Sequence, residues 1–139
     1  MKETVLLFHF EKERVGKIRR ALLPLRIRVK TVEPEKYGQN IGFLAGNKEI
    51  LPQQEESDPD RTGFRKGNEE AGRTEIEQEM MVMAWLTGHQ VDQVLTALRK
   101  QGIGRIDYKA VVTQQNQYWD CRTLYAELKK EHEAFTGKS

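Results

Sequence analysis

The sequence predicts an α/β sandwich in which two strand–helix–strand halves form one four-stranded sheet. Two apolar runs, near Val5 and near Met80, are each followed by a segment with the 3.6-residue periodicity of an amphipathic helix. A segment in which polar and apolar residues alternate, typical of a strand with one wet face, follows each helix. The chain of 139 residues is long enough to bury a core as a single domain, residues 1–139.

The first half, residues 1–46, has four predicted elements in the order strand, helix, strand, helix: Thr4–Phe10, Glu11–Leu23, Arg26–Thr31 and residues 35–45. Pro24 ends the first helix, because proline lacks the backbone donor that a helix interior needs. In the last element, Gly38, Gly42 and Gly46 recur every four residues, a spacing that indicates close packing or a turn.

The second half, residues 80–139, repeats this order with a strand, a helix, a strand and a final helix: Met80–Leu86, Thr87 to Gly102, Ile106–Thr113 and a helix capped by Asp120. Thr87 and Gln90 have the spacing of a capping box at the start of the first of these helices. Leu98 lies on the apolar stripe of that helix, so we predict that it is buried in the core.

The strand patterns decide the order of the sheet only in part. The first and third strands are apolar throughout, so we expect them at the centre, with the alternating strands at the edges. A ferredoxin-like order 4-1-3-2, with the halves joined antiparallel in a two-layer sandwich, is favoured. The alternative is a small doubly wound sheet of order 2-1-3-4 with all strands parallel, which the helices after strands two and four support.

The two halves also align with each other. An offset of 76 residues places Val5 on Met81 and Leu22 on Leu98, and an offset of 79 places Lys30 on Lys109. The sequence therefore predicts an internal repeat. A shared strand–helix–strand order accounts for part of the match by itself.

An acidic segment, residues 47–79, joins the two halves. Between residues 52 and 79, nine acidic residues stand against four basic ones, so this stretch carries −5 and the rest of the chain +7. Many charges and few apolar residues are typical of a disordered or weakly ordered segment. We therefore predict a mobile or irregular loop with no strand at its centre.

Few residues fit a catalytic or metal site. Ser57 and Ser139 are the only serines, so a serine triad has no suitable nucleophile, and the three histidines fall on different predicted elements. Cys121 is predicted to be an ordinary, partly buried thiol, because no histidine lies near it in sequence to act as a base. The sequence thus predicts no metal and no cofactor, and it favours a protein that is not an enzyme.

The composition also bears on the compartment. No apolar run approaches the ~20 residues that a membrane-spanning helix needs. No small-residue cleavage site follows the first strand, and a single cysteine excludes an internal disulfide. We therefore expect a cytoplasmic protein that does not enter the membrane.

Arg26, Arg28 and Lys30 are predicted to project from one face of the second strand. Such a patch is suited to bind an anion or a nucleic acid. The alternative is a solvated edge whose charges discourage strand-to-strand aggregation. No aromatic residues lie between the basic ones to stack on bases, which favours the alternative.

A second candidate site consists of Lys109, Thr113, Asn116 and Trp119, at and beyond the end of the fourth strand. Strand ends and the loops after them are common positions for binding sites in α/β folds. The structural alternative is that Thr113 and Asn116 form a turn and Trp119 covers the core. In either case we expect Lys109 to contact the loop Thr113–Trp119 or the final helix, because a buried ammonium needs an acceptor.

These residues also carry a resemblance to a known family. The pattern K-A-V-x-T-x-x-N-x-x-W from Lys109 to Trp119, with Met81–Met83 and Leu95–Arg99 before it, resembles a small bacterial family known as a domain of unknown function. The resemblance covers residues 79–133 and implies a shared fold, without an activity, a cofactor or a catalytic residue. Asp120 stands where the resemblance leads us to expect Thr or Ser as the helix cap.

Together with the missing catalytic set, these features predict a non-catalytic module that binds a small molecule or a protein partner. The two edge strands predict a homodimer, since they are available for pairing across a twofold axis. One alternative function is nucleic-acid or anion binding through Arg26, Arg28 and Lys30. The other is an enzyme that uses Lys109 as an acid–base or anion-holding group.

Overall fold

The computed structural model describes residues 2–52 and 75–135. These residues form four strands and four α-helices: β1 (Thr4–Phe8), α1 (Lys12–Leu22), β2 (Arg28–Val32), α2 (Ile41–Leu44), β3 (Met80–Ala84), α3 (Gly88–Lys100), β4 (Tyr108–Val111) and α4 (Cys121–Phe135). Short 3-10 turns connect them at three places: Leu23–Leu25, Pro34–Lys36 and Asn116–Tyr118. Each half therefore has the predicted order of strand, helix, strand and helix.

The strands form one mixed sheet in the order β2-β1-β3-β4. Within each half the two strands are parallel, and β1 pairs antiparallel with β3 where the halves meet. The predicted α/β class and the antiparallel joining of the halves are confirmed. The favoured ferredoxin-like order 4-1-3-2 is wrong, because α1 and α3 each connect two strands that are direct neighbours. The all-parallel alternative had the observed order and the wrong direction for its second half.

Helices cover both faces of the sheet, so the predicted two-layer packing is also wrong. One face, with Val5, Leu7, Met81 and Met83, is covered by α1 and α3. The other, with Leu6 and Val82 at its centre, is covered by α2 and α4. All five residues of β1 and all five of β3 are buried. A two-layer sandwich would expose half of this apolar surface at about 25 cal/mol per Å², and the third layer removes that penalty.

The local signals for α3 and α4 are confirmed. Thr87 Oγ1 accepts a hydrogen bond from the Gln90 N–H (3.1 Å), and Gln90 Oε1 accepts one from the Thr87 N–H (2.8 Å). After α3, Gly102 has a φ of 76°, a left-handed conformation that costs glycine little. Asp120 Oδ1 accepts a hydrogen bond from the Thr123 N–H (2.7 Å) and so caps α4. Leu98, predicted to be buried, is 5% exposed.

The ends of the acidic segment belong to the core. Ile50 is 6% exposed and Ile76 is 5% exposed, and Ile76 packs in the cluster beneath α2 and α4. Both ends of the segment therefore contribute buried side chains to the core. Its central part, residues 53–74, lies outside the described residues, and so does the predicted absence of a strand there.

The registers relate the two halves by a local twofold axis. Thr4 pairs with Ala84 and Phe8 pairs with Met80, so residues 76 positions apart (4 and 80, 8 and 84) exchange places. The second strands correspond with an offset of 80 instead of the predicted 79, because Thr4 pairs with Arg28 and Met80 pairs with Tyr108. Two side-chain contacts follow the same relation. Arg14 Nε donates to Glu79 Oε2 (2.5 Å), and Gln90 Nε2 donates to Glu3 Oε2 (3.5 Å). Both the two donor residues and the two acceptor residues are 76 positions apart.

Equivalent positions in the two halves also share an unusual backbone conformation. His9 follows β1 with a φ of 65°, and Trp85 follows β3 with a φ of 66°. Left-handed φ is a genuine outlier for a bulky residue such as tryptophan. The hydrogen bond from Trp85 Nε1 to Ala45 O (2.8 Å) helps to hold it in place. Neither turn contains a glycine at this position, so sequence patterns gave no sign of it.

Candidate functional site

Asn116 ties the loop after β4 to the strand before it. Its Oδ1 accepts a hydrogen bond from the Thr113 N–H (2.8 Å), and its own N–H donates to Thr113 Oγ1 (3.0 Å). Its Nδ2 donates to Val111 O at 3.1 Å. The residue is 8% exposed, and both the oxygen and the nitrogen of its side-chain amide form hydrogen bonds within the chain. This geometry matches the structural alternative, in which Thr113 and Asn116 form a turn.

Trp119 belongs to the junction between the halves. Its carbonyl oxygen accepts a hydrogen bond from the Ile41 N–H (2.9 Å), at the start of α2. Nearby, the Cys121 N–H donates to Tyr37 O (3.1 Å). The half-buried Trp119 side chain packs against the cluster beneath α2 and α4. Trp119 thus joins the second half to the first and covers part of the core.

Lys109 lies apart from the other three residues of this candidate site. Tyr108 and Ala110 pack on the α4 side of β4, so Lys109 projects from the opposite face, where it is exposed. Its Nζ donates to Ile106 O, just before the strand, at 2.5 Å. The predicted contact with the loop Thr113–Trp119 or the final helix is wrong. The four candidate residues therefore do not converge on one site.

Two of the three basic residues predicted to share a face of β2 do so, and Lys36 replaces the third, Arg26. Arg28 and Lys30 lie on the same face of the strand, and Lys30 Nζ donates to Leu44 O (2.8 Å) at the end of α2. Arg26 precedes the strand in a left-handed conformation (φ 58°), so it does not share the alternation of β2. Lys36, in the 3-10 turn after β2, takes its place in the cluster, because its charge acts on Lys30.

We name Arg28, Lys30 and Lys36 the basic edge; these residues carry three positive charges on β2 and the turn that follows it. Partial burial, and then the charges of Arg28 and Lys36, lower the pKa of the Lys30 ammonium. Within residues 2–52 and 75–135, no carboxylate lies at ion-pair distance from any of the three. Glu33 and Glu35 are exposed in the adjoining turn. The basic edge is therefore a concentration of positive charge that has no close counter-ion among the described residues.

The outer edge of β2 also presents backbone groups that lack a partner within the described part of the chain. The Arg28 N–H donates to Glu3 O (3.0 Å), so the even-numbered residues of β2 direct their backbone groups towards β1. Val29 and Thr31 consequently direct theirs outwards. Arg19 Nη1 donates to Val29 O (2.8 Å) and covers one of these groups. Among the described residues, the Val29 N–H and both backbone groups of Thr31 have no partner.

Cys121 is enclosed by the junction between the halves. The residue is fully buried, and its Sγ donates to Gln39 O at 3.5 Å. Burial, and then the nearby charge of Asp120, raise the pKa of the thiol well above its usual value. A raised pKa keeps the sulfur protonated at neutral pH, and only the thiolate is strongly nucleophilic. The geometry therefore gives Cys121 a structural role.

We expect Cys121 in the folded protein to resist alkylation by iodoacetamide at neutral pH, because it is both protonated and inaccessible. The same residue should react readily after unfolding in guanidinium chloride. Mass spectrometry of the intact chain before and after denaturation measures both states. Labelling of the folded protein at the rate of free cysteine would contradict the assignment.

Other polar groups do not assemble into a chemical site within the described ranges. No three side chains of His, Cys, Asp or Glu there lie close enough to hold a metal ion. His132 packs its ring against Tyr108 (5.4 Å between centroids). An open groove of about 350 Å³ lies beside α3, where His89 and Lys100 are among its lining residues. No helix of the described residues has the length and apolar composition of a membrane crossing.

One family model matches the second half of the chain. Residues 79–135 match the family model described as Domain of unknown function (DUF3783). The DUF3783 segment begins where the sequence resemblance begins and ends two residues beyond it, and it contains all of β3, α3, β4 and α4. No curated protein and no solved structure matches the chain significantly. The basic edge lies outside the DUF3783 segment, in the first half.

Two contributors to the basic edge were missed in the sequence. Proline is common in the first turn of a helix, and Pro34 begins the 3-10 turn that carries Lys36. Arg19, on α1, covers a backbone carbonyl of β2. The proline signal was present in the sequence. The contact of Arg19 depends on how α1 packs on the sheet.

Proposed function

We propose that this protein is a non-catalytic binding module that holds an acidic protein partner against the basic edge. The observation that carries the proposal is the placement of Arg28 and Lys30 on one face of an edge strand, with Lys36 in the turn that follows and no counter-ion at ion-pair distance among the described residues. Like charges held together raise the energy of the free protein, and an anionic partner lowers it. Lys30 is already oriented by its hydrogen bond to Leu44 O.

Two other functions have less support. Nucleic-acid binding also requires positive charge, but Tyr118, an exposed aromatic residue (58%), follows β4 at the other edge of the sheet. Catalysis by Lys109 would require a second polar group beside it. The Lys109 ammonium is instead exposed and bonded to a backbone carbonyl. The proposal therefore assigns no catalytic residue, no metal and no cofactor.

Reversing two charges of the basic edge tests this proposal. We expect the double variant Arg28→Glu/Lys36→Glu to bind a fluorescent poly-glutamate peptide at least about tenfold more weakly than the wild type, since each charge-assisted contact contributes on the order of 1.5–3 kcal/mol. Fluorescence anisotropy at two salt concentrations measures the affinity, and salt should weaken the wild-type interaction. The matched control is Lys17→Glu/Lys129→Glu, which makes the same change in net charge at exposed residues of α1 and α4.

The control and a second probe separate the outcomes. The control variant should retain the affinity of the wild type. An equal loss in both variants would mean that net charge alone drives binding, and the proposal would fail. A mixed-sequence oligonucleotide that binds through Arg28 and Lys36 more tightly than the peptide would assign the basic edge to nucleic acid instead.

We also propose a cytoplasmic location and a bacterial origin. A single, reduced and buried cysteine suits a reducing compartment and supports the location. The local twofold relation of the halves supports an internal repeat that arose by duplication. A homodimer stays a prediction, and light scattering of the purified chain tests it.

A further inference from the structure

We propose that the contact segment of the partner is an extended acidic strand that joins the outer edge of β2 as a fifth strand of the sheet. This inference rests on the proposed function and specifies its partner. It depends on backbone hydrogen-bonding groups that lie beside the cationic side chains, and not on charge alone. The backbone groups of Thr31, which have no partner among the described residues, directly follow Lys30 on the same edge strand.

The backbone of β2 can accept a further strand. β2 is an edge strand, and its pairing with β1 uses only the inward groups of Arg28, Lys30 and Val32. The outward groups of Thr31 offer one donor and one acceptor side by side, which is the pair that a new strand requires. In this mode of recognition, main-chain hydrogen bonds supply affinity and alternate side chains supply specificity.

The side chains of β2 specify the pattern of the partner. Side chains of a strand alternate between faces, so Arg28 and Lys30 project from the α2 face of the sheet. A fifth strand with acidic residues at alternate positions would place its carboxylates on that same face, directly opposite or diagonal to these cations. Opposite charges across paired strands are stabilising. The pattern that fits is therefore acidic at every second position.

A second copy of this chain fits the edge less well. If two β2 strands paired antiparallel about Thr31, Lys30 of one copy would oppose Val32 of the other. The two Lys30 residues would then be diagonal neighbours on one face of the sheet, with their α-carbons about 7–8 Å apart. Repulsion between the two ammonium groups disfavours pairing with a second copy of the chain. An acidic strand is therefore the favoured partner, since charged edge strands discriminate between partners in this way.

The experiment uses the full chain and a short synthetic peptide in which glutamate and threonine alternate. Thr31→Pro removes an outward N–H that does not serve the sheet, and edge strands tolerate proline at such positions. We expect this variant to bind the peptide at least about tenfold more weakly than the wild type. Thr31→Val keeps the N–H and the β-branched shape, so it should bind within about twofold of the wild type.

A measurement on the wild type keeps the test decisive if Thr31→Pro does not fold. Hydrogen exchange followed by NMR should show the amides of Val29 and Thr31 slowed on peptide binding, because a new strand covers both. A peptide of the same composition with all its glutamates contiguous should give weaker binding and no such protection.

The outcomes separate this inference from the proposed function. If charge reversal weakens binding while the Val29 and Thr31 amides exchange unchanged, the inference fails and the proposed function stands. If charge reversal has no effect, both fail. Protection of these amides in the free protein that increases with protein concentration would place a second copy on the edge and overturn the inference.

Discussion

Replacing Leu98 with alanine is expected to lower the free energy of unfolding by about 2–5 kcal/mol. Leu98 is 5% exposed in the cluster between the sheet and the helices α1 and α3, beside Val94 and Ile103. The substitution removes buried apolar surface, and its neighbours cannot fill the space without moving. They are constrained, because Leu98 O also accepts the Ile103 N–H (3.1 Å) that closes α3.

Urea denaturation followed by circular dichroism measures this loss. Gln93→Ala is the matched control, because Gln93 is exposed on the same helix and its substitution should change stability by less than about 0.5 kcal/mol. An equally small change for Leu98→Ala would mean that α3 packs on the sheet through a different face.

Gly42→Ala is expected to destabilise the protein by about 1–3 kcal/mol through overpacking. A Cβ at Gly42 would lie 2.9 Å from Gln117 Cβ and 3.0 Å from Gln117 O, in the 3-10 turn after β4. It would also lie 2.5 Å from Ile50 Cδ1, and that methyl group can rotate away. The turn cannot easily yield, because Gln117 Oε1 accepts a hydrogen bond from Asn47 Nδ2 (3.0 Å). The new methyl group must therefore push α2 away from the second half.

Gly38→Ala is the control for this prediction. Gly38 belongs to the same four-residue series, but a Cβ there would meet no atom within 4 Å and its φ is not left-handed. We expect it to be neutral or stabilising by up to about 1 kcal/mol, since alanine restricts the unfolded chain. Thermal unfolding of both variants gives the comparison. Similar melting temperatures would show that α2 does not pack tightly against the turn.

The regular spacing of Gly38, Gly42 and Gly46 does not predict which of these glycines is closely packed. The spacing indicated close packing or a turn, and both readings are correct for different members. Gly42 packs closely, and Gly46 turns with a φ of 100°, whereas Gly38 does neither. Spacing along the chain cannot separate them, because the atoms that crowd Gly42 come from residues 50 and 117.

The candidate sites show the same limit. Alternation in β2 predicted Arg28 and Lys30 on one face, since strand geometry fixes the direction of successive side chains. Alternation likewise puts Lys109 on the face opposite Tyr108 and Ala110. The partners of Lys109 and Lys36 depend on turns and on neighbouring elements, so alternation could not predict them.

The sequence by itself determined the elements of this protein and which strands are central. Apolar periodicity and capping residues act within a few positions, so β1, β3, α3 and the cap of α4 could be read directly. Only the tertiary structure decided the strand order, the third layer and the composition of the basic edge. These depend on which distant surfaces cover the two faces of β1 and β3, and an apolar strand accepts either neighbour that buries it.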